Sequence, residues 1–286
     1  MTPAGATDLF LDVNGIRLHL LDWGGEGQTI LCVHANGYLA ALWHPIAVVL
    51  REEPARVLAL DLPGCGDSEP APGYNWSALA DYVGGTMRAL DLGPYVLVGH
   101  SMGGAFSAIC AARYPPLVRG IVLADPVILK QAFYARPEVA EQSDFYGARK
   151  RRRSWPSREA MRESLSGRVP YSRWRPEFFD LFVQEAVRET DDGEVTLKCP
   201  PETEVEIYRQ TLSYDLWPEI AHADVPAIVL RGTSKEGFAS TTAPELAGWL
   251  PQGEDRPLPD ASHHVPMERP DAVIRAVRDL LSRLSA

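Results

Sequence analysis

Hydrophobic and polar positions change period several times along this chain, and each change predicts an element. Residues 8–13 and 16–22 alternate apolar and polar side chains, the two-residue period of strands with one covered face. Asn14-Gly15 between them favours the two positive φ angles of a tight hairpin turn. Three later runs, residues 29–33, 56–60 and 95–98, are almost wholly apolar and too short for helices, which fits parallel strands covered on both faces. Residues 120–124 and 226–230 repeat that pattern. Between the runs, residues 42–51 and 76–92 space apolar side chains three and four apart, as a helix with one buried stripe does. This alternation predicts an α/β protein with a mainly parallel sheet, right-handed crossovers and flanking helices.

From about residue 126 to residue 223 the pattern breaks, and no clear strand is predicted. Helical spacing covers residues 158–166 and 176–190. The stretch also carries Arg149-Lys150-Arg151-Arg152-Arg153 and three of the seven tryptophans, Trp155, Trp174 and Trp217. Helices near 243–250 and over 271–284 follow the last apolar run. The expected organisation is a core of residues 1–125 and 224–286, interrupted by a helical cap, 126–223, inserted after the sixth strand. The basic run reads as a solvated helix face pairing with acids such as Glu138 and Glu141, ahead of an anion-binding patch, because no aromatics interleave with it.

Candidate chemistry sharpens this picture. Gly99-His100-Ser101-Met102-Gly103 follows the apolar run 95–98 and precedes the small-residue helix start Gly104-Ala105-Phe106-Ser107-Ala108. A strand, a Gly-x-Ser-x-Gly turn and a helix describe a nucleophile elbow, which projects the serine hydroxyl at the positive end of a helix. His34-Ala35-Asn36-Gly37 follows the run 29–33, and Asp61-Leu62-Pro63-Gly64-Cys65-Gly66-Asp67-Ser68 follows the run 56–60. Late in the chain stands Ala261-Ser262-His263-His264-Val265-Pro266-Met267-Glu268-Arg269-Pro270. These four segments, in this order, resemble the α/β-hydrolase superfamily, in particular serine esterases and lipases with a helical cap; the likeness covers nearly the whole chain except its middle. It implies the α/β-hydrolase fold and an acyl-enzyme mechanism.

A serine hydroxyl needs a base to take its proton. Of seven histidines, His19 and His44 read as structural or peripheral, His100 as packing, His222 as surface, and His34 as a brace for the loop it opens. In the superfamily's usual spacing the catalytic histidine stands five places before the acidic residue of its loop, which selects His263 from Glu268 and leaves His264 to line the pocket. The acid that orients the imidazole is Asp125, ending the sixth strand, or Glu236, after the seventh, where most members carry an aspartate; Asp125 is preferred, and Asp260 is a third choice. The resemblance implies an oxyanion hole from the backbone N–H groups of Met102 and Asn36. Tyr38, Trp43 and Met102 are candidates for the pocket wall or the core.

Composition bounds the rest. With 286 residues, 45% apolar and 23% charged, the chain has the make-up of a globular domain with one insertion. A net charge of −10 repels phosphate backbones and argues against nucleic acid. Cys32, Cys65, Cys110 and Cys199 show no metal-ligand spacing, and neither metal nor cofactor is expected. Without a leader pattern or a spanning apolar run, the expected location is the cytoplasm; the sequence sets no oligomeric state. The expected partner is a small ester-like substrate, and the expected activity that of a carboxylesterase-like serine hydrolase. Carbon–carbon, lactone and thioester hydrolysis use the same residues, and a non-catalytic binding protein on this scaffold is the alternative of another class.

Overall fold

The computed structural model describes residues 2–135 and 145–285. β1 (Thr7–Val13) and β2 (Ile16–Asp22) pair antiparallel across Asn14-Gly15, whose φ angles of 50° and 84° give the tight turn expected of that dipeptide. The chain continues through β3 (Gln28–Val33), β4 (Ala55–Leu60), β5 (Tyr95–His100) and β6 (Val118–Ala124). Three short strands follow, β7 (Ser154–Trp155), β8 (Val187–Glu189) and β9 (Val195–Leu197), and then β10 (Pro226–Gly232) and β11 (Gln252–Leu258). Among the described residues the main sheet has eight strands in the order β1-β2-β4-β3-β5-β6-β10-β11. From β4 onward in that order every neighbouring pair is parallel.

Successive residues of the parallel strands serve opposite faces. Ile30, Cys32, Val96, Val98 and Val122 pack with Ile46 and Leu50 of α1 (His44–Leu50) and with Val273, Val277 and Leu280 of the closing helix Pro270–Ser285. Leu31, Val33, Leu97, Ile121 and Leu123 pack on the other side with Trp76, Leu79 and Val83 of α2 (Trp76–Leu90) and Phe106 and Ile109 of α3 (Met102–Arg113). Asn75 starts α2, its side chain accepting from Ser77 N and Ala78 N. Each such buried side chain contributes about 1.5–3 kcal/mol, and truncating one, as in Leu97→Ala, costs about 2–5 kcal/mol.

β11 is a strand that hydrophobic patterning does not announce. Its residues are mostly polar and half exposed, and Pro257, which has no N–H to give, is tolerated because the strand lies at the sheet edge. Backbone pairing with β10 and the ion pairs Arg231–Asp255 (2.7 Å) and Arg256–Asp279 (2.6 Å) hold it.

The chain leaves the sheet after β6 and returns in β10, which pairs with β6. Between them lie the helices Arg158–Leu165, Pro176–Glu185 and Pro201–Arg209. The expectation of no strand in this stretch is corrected: β7, β9 and β8 form an antiparallel three-stranded sheet. The helix predicted over 176–190 stops at Glu185, because Asp191-Asp192-Gly193, with Gly193 at φ 81°, turns β8 back onto β9. The helix predicted near 243–250 shrinks to one turn, Leu246–Trp249. Glu138 and Glu141 lie outside the described residues. Among the described residues no helix is long and apolar enough to cross a membrane.

Candidate active site

β5 ends at His100 and α3 begins at Met102, so Ser101 alone makes the turn, at φ 57° and ψ −119°. A Cβ on Gly99 would stand 2.3 Å from Gly103 O, and one on Gly103 would stand 2.3 Å from Val33 O. Both obstacles are backbone atoms, so each glycine is required by contact. A non-glycine residue in this conformation costs about 1–3 kcal/mol and persists only where its surroundings hold it. Here Ser101 N donates to Ala124 O (3.1 Å), and Ser101 O accepts from Gly104 N and Val127 N (both 3.0 Å).

Residues distant in sequence converge on this hydroxyl. Ser101 Oγ lies 3.0 Å from His263 Nε2, and His263 Nδ1 lies 2.6 Å from Asp125 Oδ2. With a carboxylate at Nδ1, that nitrogen carries the proton and Nε2 is left to accept from the hydroxyl. Asp125 directly follows β6 at φ 45° and is fully buried. Its Oδ1 accepts from Gly232 N (2.8 Å) and Ser240 Oγ (2.6 Å), and its Oδ2 accepts from Thr241 N (3.4 Å). Gly232, Ser240 and Thr241 were not singled out from sequence; the cluster Ala239-Ser240-Thr241-Thr242 is the one visible cue, and small polar residues are common in any loop.

The rival acids are elsewhere engaged. Glu236 is 85% exposed and pairs with Arg173 at 3.0 Å, while Asp260 pairs with Arg269. Glu268 accepts from Ser262 N (2.9 Å) and Ser262 Oγ and pairs with Arg173 (3.1 Å), fixing the loop that carries His263. His263 N donates to Phe238 O at 2.9 Å.

Two further imidazoles surround His263. His100 Nε2 donates to His263 O (2.9 Å), and burial, then repulsion from His263, pushes His100 down to about 3. His264 Nε2 and the Tyr38 hydroxyl are 2.9 Å apart, and burial holds His264 well below its ordinary value. Both rings are therefore neutral near pH 7 and add no positive charge against a protonated His263. His34 donates from Nδ1 to Ala35 O (2.7 Å) and accepts at Nε2 from Leu62 N (2.9 Å), bracing the loop after β3 as expected. His19 bridges Asp61 and Asp8, His44 accepts from Trp23 Nε1, and His222 is exposed.

Met102 N opens α3 and Asn36 N lies in the loop after β3; among the described residues neither donates to a backbone carbonyl. Asn36 Nδ2 donates to Glu204 O at 2.9 Å. Gly37 next to it, at φ 76°, is flush with the insertion: a Cβ there would stand 2.7 Å from Arg151 Nη1 and 2.9 Å from Glu204 Cδ. Arg151 and Glu204 themselves pair at 2.5 Å.

A cavity of about 560 Å³ opens over Ser101 and His263, between these loops and the insertion. Tyr38, Trp155, Tyr171, Phe182 and Phe238 give it an aromatic wall. Met102 and Trp43 instead pack in the two cores. Among the described residues one group has metal-ligand geometry, His19, Asp61 and Asp67, with atoms within 4.8 Å of one another, and these are already bonded to each other and to Asp8. Cys65 Sγ and Cys199 Sγ, 134 residues apart, meet at 2.6 Å where the loop after β4 touches the insertion.

Comparison with known proteins agrees with this architecture. The chain is 26% identical to a 2-(acetamidomethylene)succinate hydrolase of Mesorhizobium japonicum over 96% of its own length and 97% of the relative's. It is 27% identical to an esterase of Mycobacterium tuberculosis over 91% and 85%. The crystal structure of an E-2-(acetamidomethylene)succinate hydrolase superposes with a TM-score of 0.81, covering 97% of this chain and 99% of that one at 23% identity, a likeness of fold. Residues 28–270 match the alpha/beta hydrolase fold family, and with a match of that extent over this elbow and sheet, the chain belongs to that family.

Proposed function

We propose that this hydrolase is a serine enzyme that cleaves a carboxylic ester through an acyl-enzyme, with Ser101 as nucleophile, His263 as base and Asp125 as the acid that orients it. The observation that carries the reading is the unbroken series from Ser101 Oγ to His263 Nε2 (3.0 Å) and from His263 Nδ1 to Asp125 Oδ2 (2.6 Å), at the mouth of a cavity. Ser101 Oγ attacks the ester carbonyl while its proton passes to His263 Nε2. Asp125 stabilises the imidazolium that forms. The N–H groups of Met102 and Asn36 receive the oxyanion, each worth about 3–4 kcal/mol. His263 then gives its proton to the departing alkoxide, and the alcohol leaves. Water, deprotonated by His263, attacks the acyl-enzyme and releases the acid with Ser101 restored. In this reading residues 126–223 form the cap over the site, and 1–125 with 224–286 form the hydrolase core.

A second substrate class is favoured by a specific observation. One relative matched over almost its full length is a 2-(acetamidomethylene)succinate hydrolase, and a 2-hydroxymuconate semialdehyde hydrolase of a Pseudomonas strain is 36% identical over 38% of this chain. The same three residues serve such acyl transfers, so a panel of ester, lactone, thioester and acetamidomethylene substrates ranks them. The test of the mechanism is a fluorophosphonate probe followed by peptide mapping. Adduct on Ser101 in the native protein, with none in Ser101→Ala of unchanged circular dichroism, is the expected result, together with a loss of 4-nitrophenyl ester hydrolysis of about a million-fold. An unlabelled Ser101 would sink the reading.

A further inference from the structure

The basic run singled out in the sequence is not absorbed by the chemistry above; Arg149, Lys150, Arg152 and Arg153 are exposed, as a solvated face requires, yet part of the run also borders the site. Lys150, Arg151 and Arg152 line the cavity over Ser101, and Arg168 joins them from the segment after the helix Arg158–Leu165. Acids outnumber bases 38 to 28 in the whole chain. Among the described residues that line this cavity the balance reverses: four are cationic and one, Glu204, carries a carboxylate. Glu204 is itself paired with Arg151 at 2.5 Å, so that pair is close to neutral.

The remaining cations differ in how they are held. Arg152 donates from Nε to Ser154 O (2.7 Å) and lies over the Trp155 ring, 5.5 Å from its centroid, which fixes the guanidinium in the wall. Trp155 is buried in the same wall, and its indole N–H has no acceptor among the described residues. Arg168 is exposed, and its guanidinium has no acidic partner among the described residues. A guanidinium fork is matched in shape to a carboxylate, which accepts two parallel N–H bonds from it.

Resting on the serine-hydrolase reading, we infer that the substrate's acyl portion carries a carboxylate of its own, held by Arg168 with Arg152 beside it while the scissile carbonyl meets Ser101. The apolar part of the acyl chain then lies along Tyr38, Tyr171 and Phe182, which line the same cavity.

Two matched substrates test this. Mono-(4-nitrophenyl) adipate carries a free carboxylate, and 4-nitrophenyl methyl adipate is the same molecule with that charge capped. At low salt the free acid is expected to show at least tenfold higher kcat/KM than the capped ester. The ratio should fall toward one in Arg168→Ala with Arg152→Ala, recover in part in Arg168→Lys, and shrink in 0.5 M salt. Adipate itself should bind Ser101→Ala in calorimetry, and the same protein lacking both arginines should not bind it. Equal kcat/KM for the two esters in the native protein overturns the inference while leaving the serine mechanism standing, as does a preference that survives loss of both arginines. If neither ester is cleaved, the mechanism is in question and the calorimetry decides the carboxylate site alone: arginine-dependent adipate binding supports it, and no binding overturns it.

Discussion

Ser101, Asp125 and the Asn36 loop stand directly beyond the ends of β5, β6 and β3, where neighbouring strands fix the backbone on either side. The facing surface, from residue 147 to residue 208, brings long guanidinium and aromatic side chains from helices, turns and a small separate sheet. The first surface tolerates almost no displacement, since Gly99 and Gly103 are within contact of backbone atoms. The second is joined to the first at a few points, among them Asn36 Nδ2 to Glu204 O and Cys65–Cys199. On the proposed mechanism, placing the reacting atoms on strand ends and the recognition groups on an insertion lets specificity change without disturbing the bond-making geometry.

That contrast is open to direct attack. After Ser101→Ala the largest effect is expected at Asp125: Asp125→Asn keeps the shape but puts the wrong tautomer on His263, and kcat for a 4-nitrophenyl ester should fall about ten-thousand-fold. Glu204→Ala is next. It strands the half-buried Arg151 guanidinium and should lower stability by about 3 kcal/mol, read from urea unfolding. If stability is unchanged, the insertion is held together by its other contacts rather than by this pair.

The pH response follows from His100. Burial pushes it down to about 3, against an ordinary 6.5, so between those values the unfolded chain binds a proton that the folded one refuses. Stability should therefore drop as pH falls from 6.5, by about 2 kcal/mol at pH 5 from this residue, and the unfolding free energy of His100→Gln should show a shallower slope across that window. The smallest effect belongs to Glu236→Gln, which removes an exposed ion pair and should leave kcat/KM within about twofold. A drop as large as that at Asp125 would reassign the acid.

Much of the strand-end surface was legible because its physics is local. Alternation, apolar runs and the Gly-x-Ser-x-Gly turn each report on a few neighbouring residues, and the structure places Ser101, His263 and Asp125 in one hydrogen-bonded series. The partners of Asp125 were not legible, because a backbone N–H at Gly232 has no sequence signature. β11 escaped notice because an edge strand is selected by backbone pairing and charge, not by apolar periodicity. The insertion was read as helical throughout, and its small sheet went unseen because two- and three-residue strands are shorter than any period they would have to display. Of the basic run, Arg149, Lys150, Arg152 and Arg153 are exposed, as expected of a solvated face, but charge composition could not say that Lys150, Arg151 and Arg152 also line the cavity.

Gly37 carries a practical consequence for anyone wishing to exchange the insertion of this hydrolase for another. Its missing side chain is the socket into which Arg151 and Glu204 fit, and the Glu204 backbone carbonyl also accepts from the neighbouring Asn36 amide. A transplanted insertion lacking that arginine and carboxylate would leave the loop beneath it without its stop, so a chimera should lose turnover on every substrate unless those two residues travel with the graft.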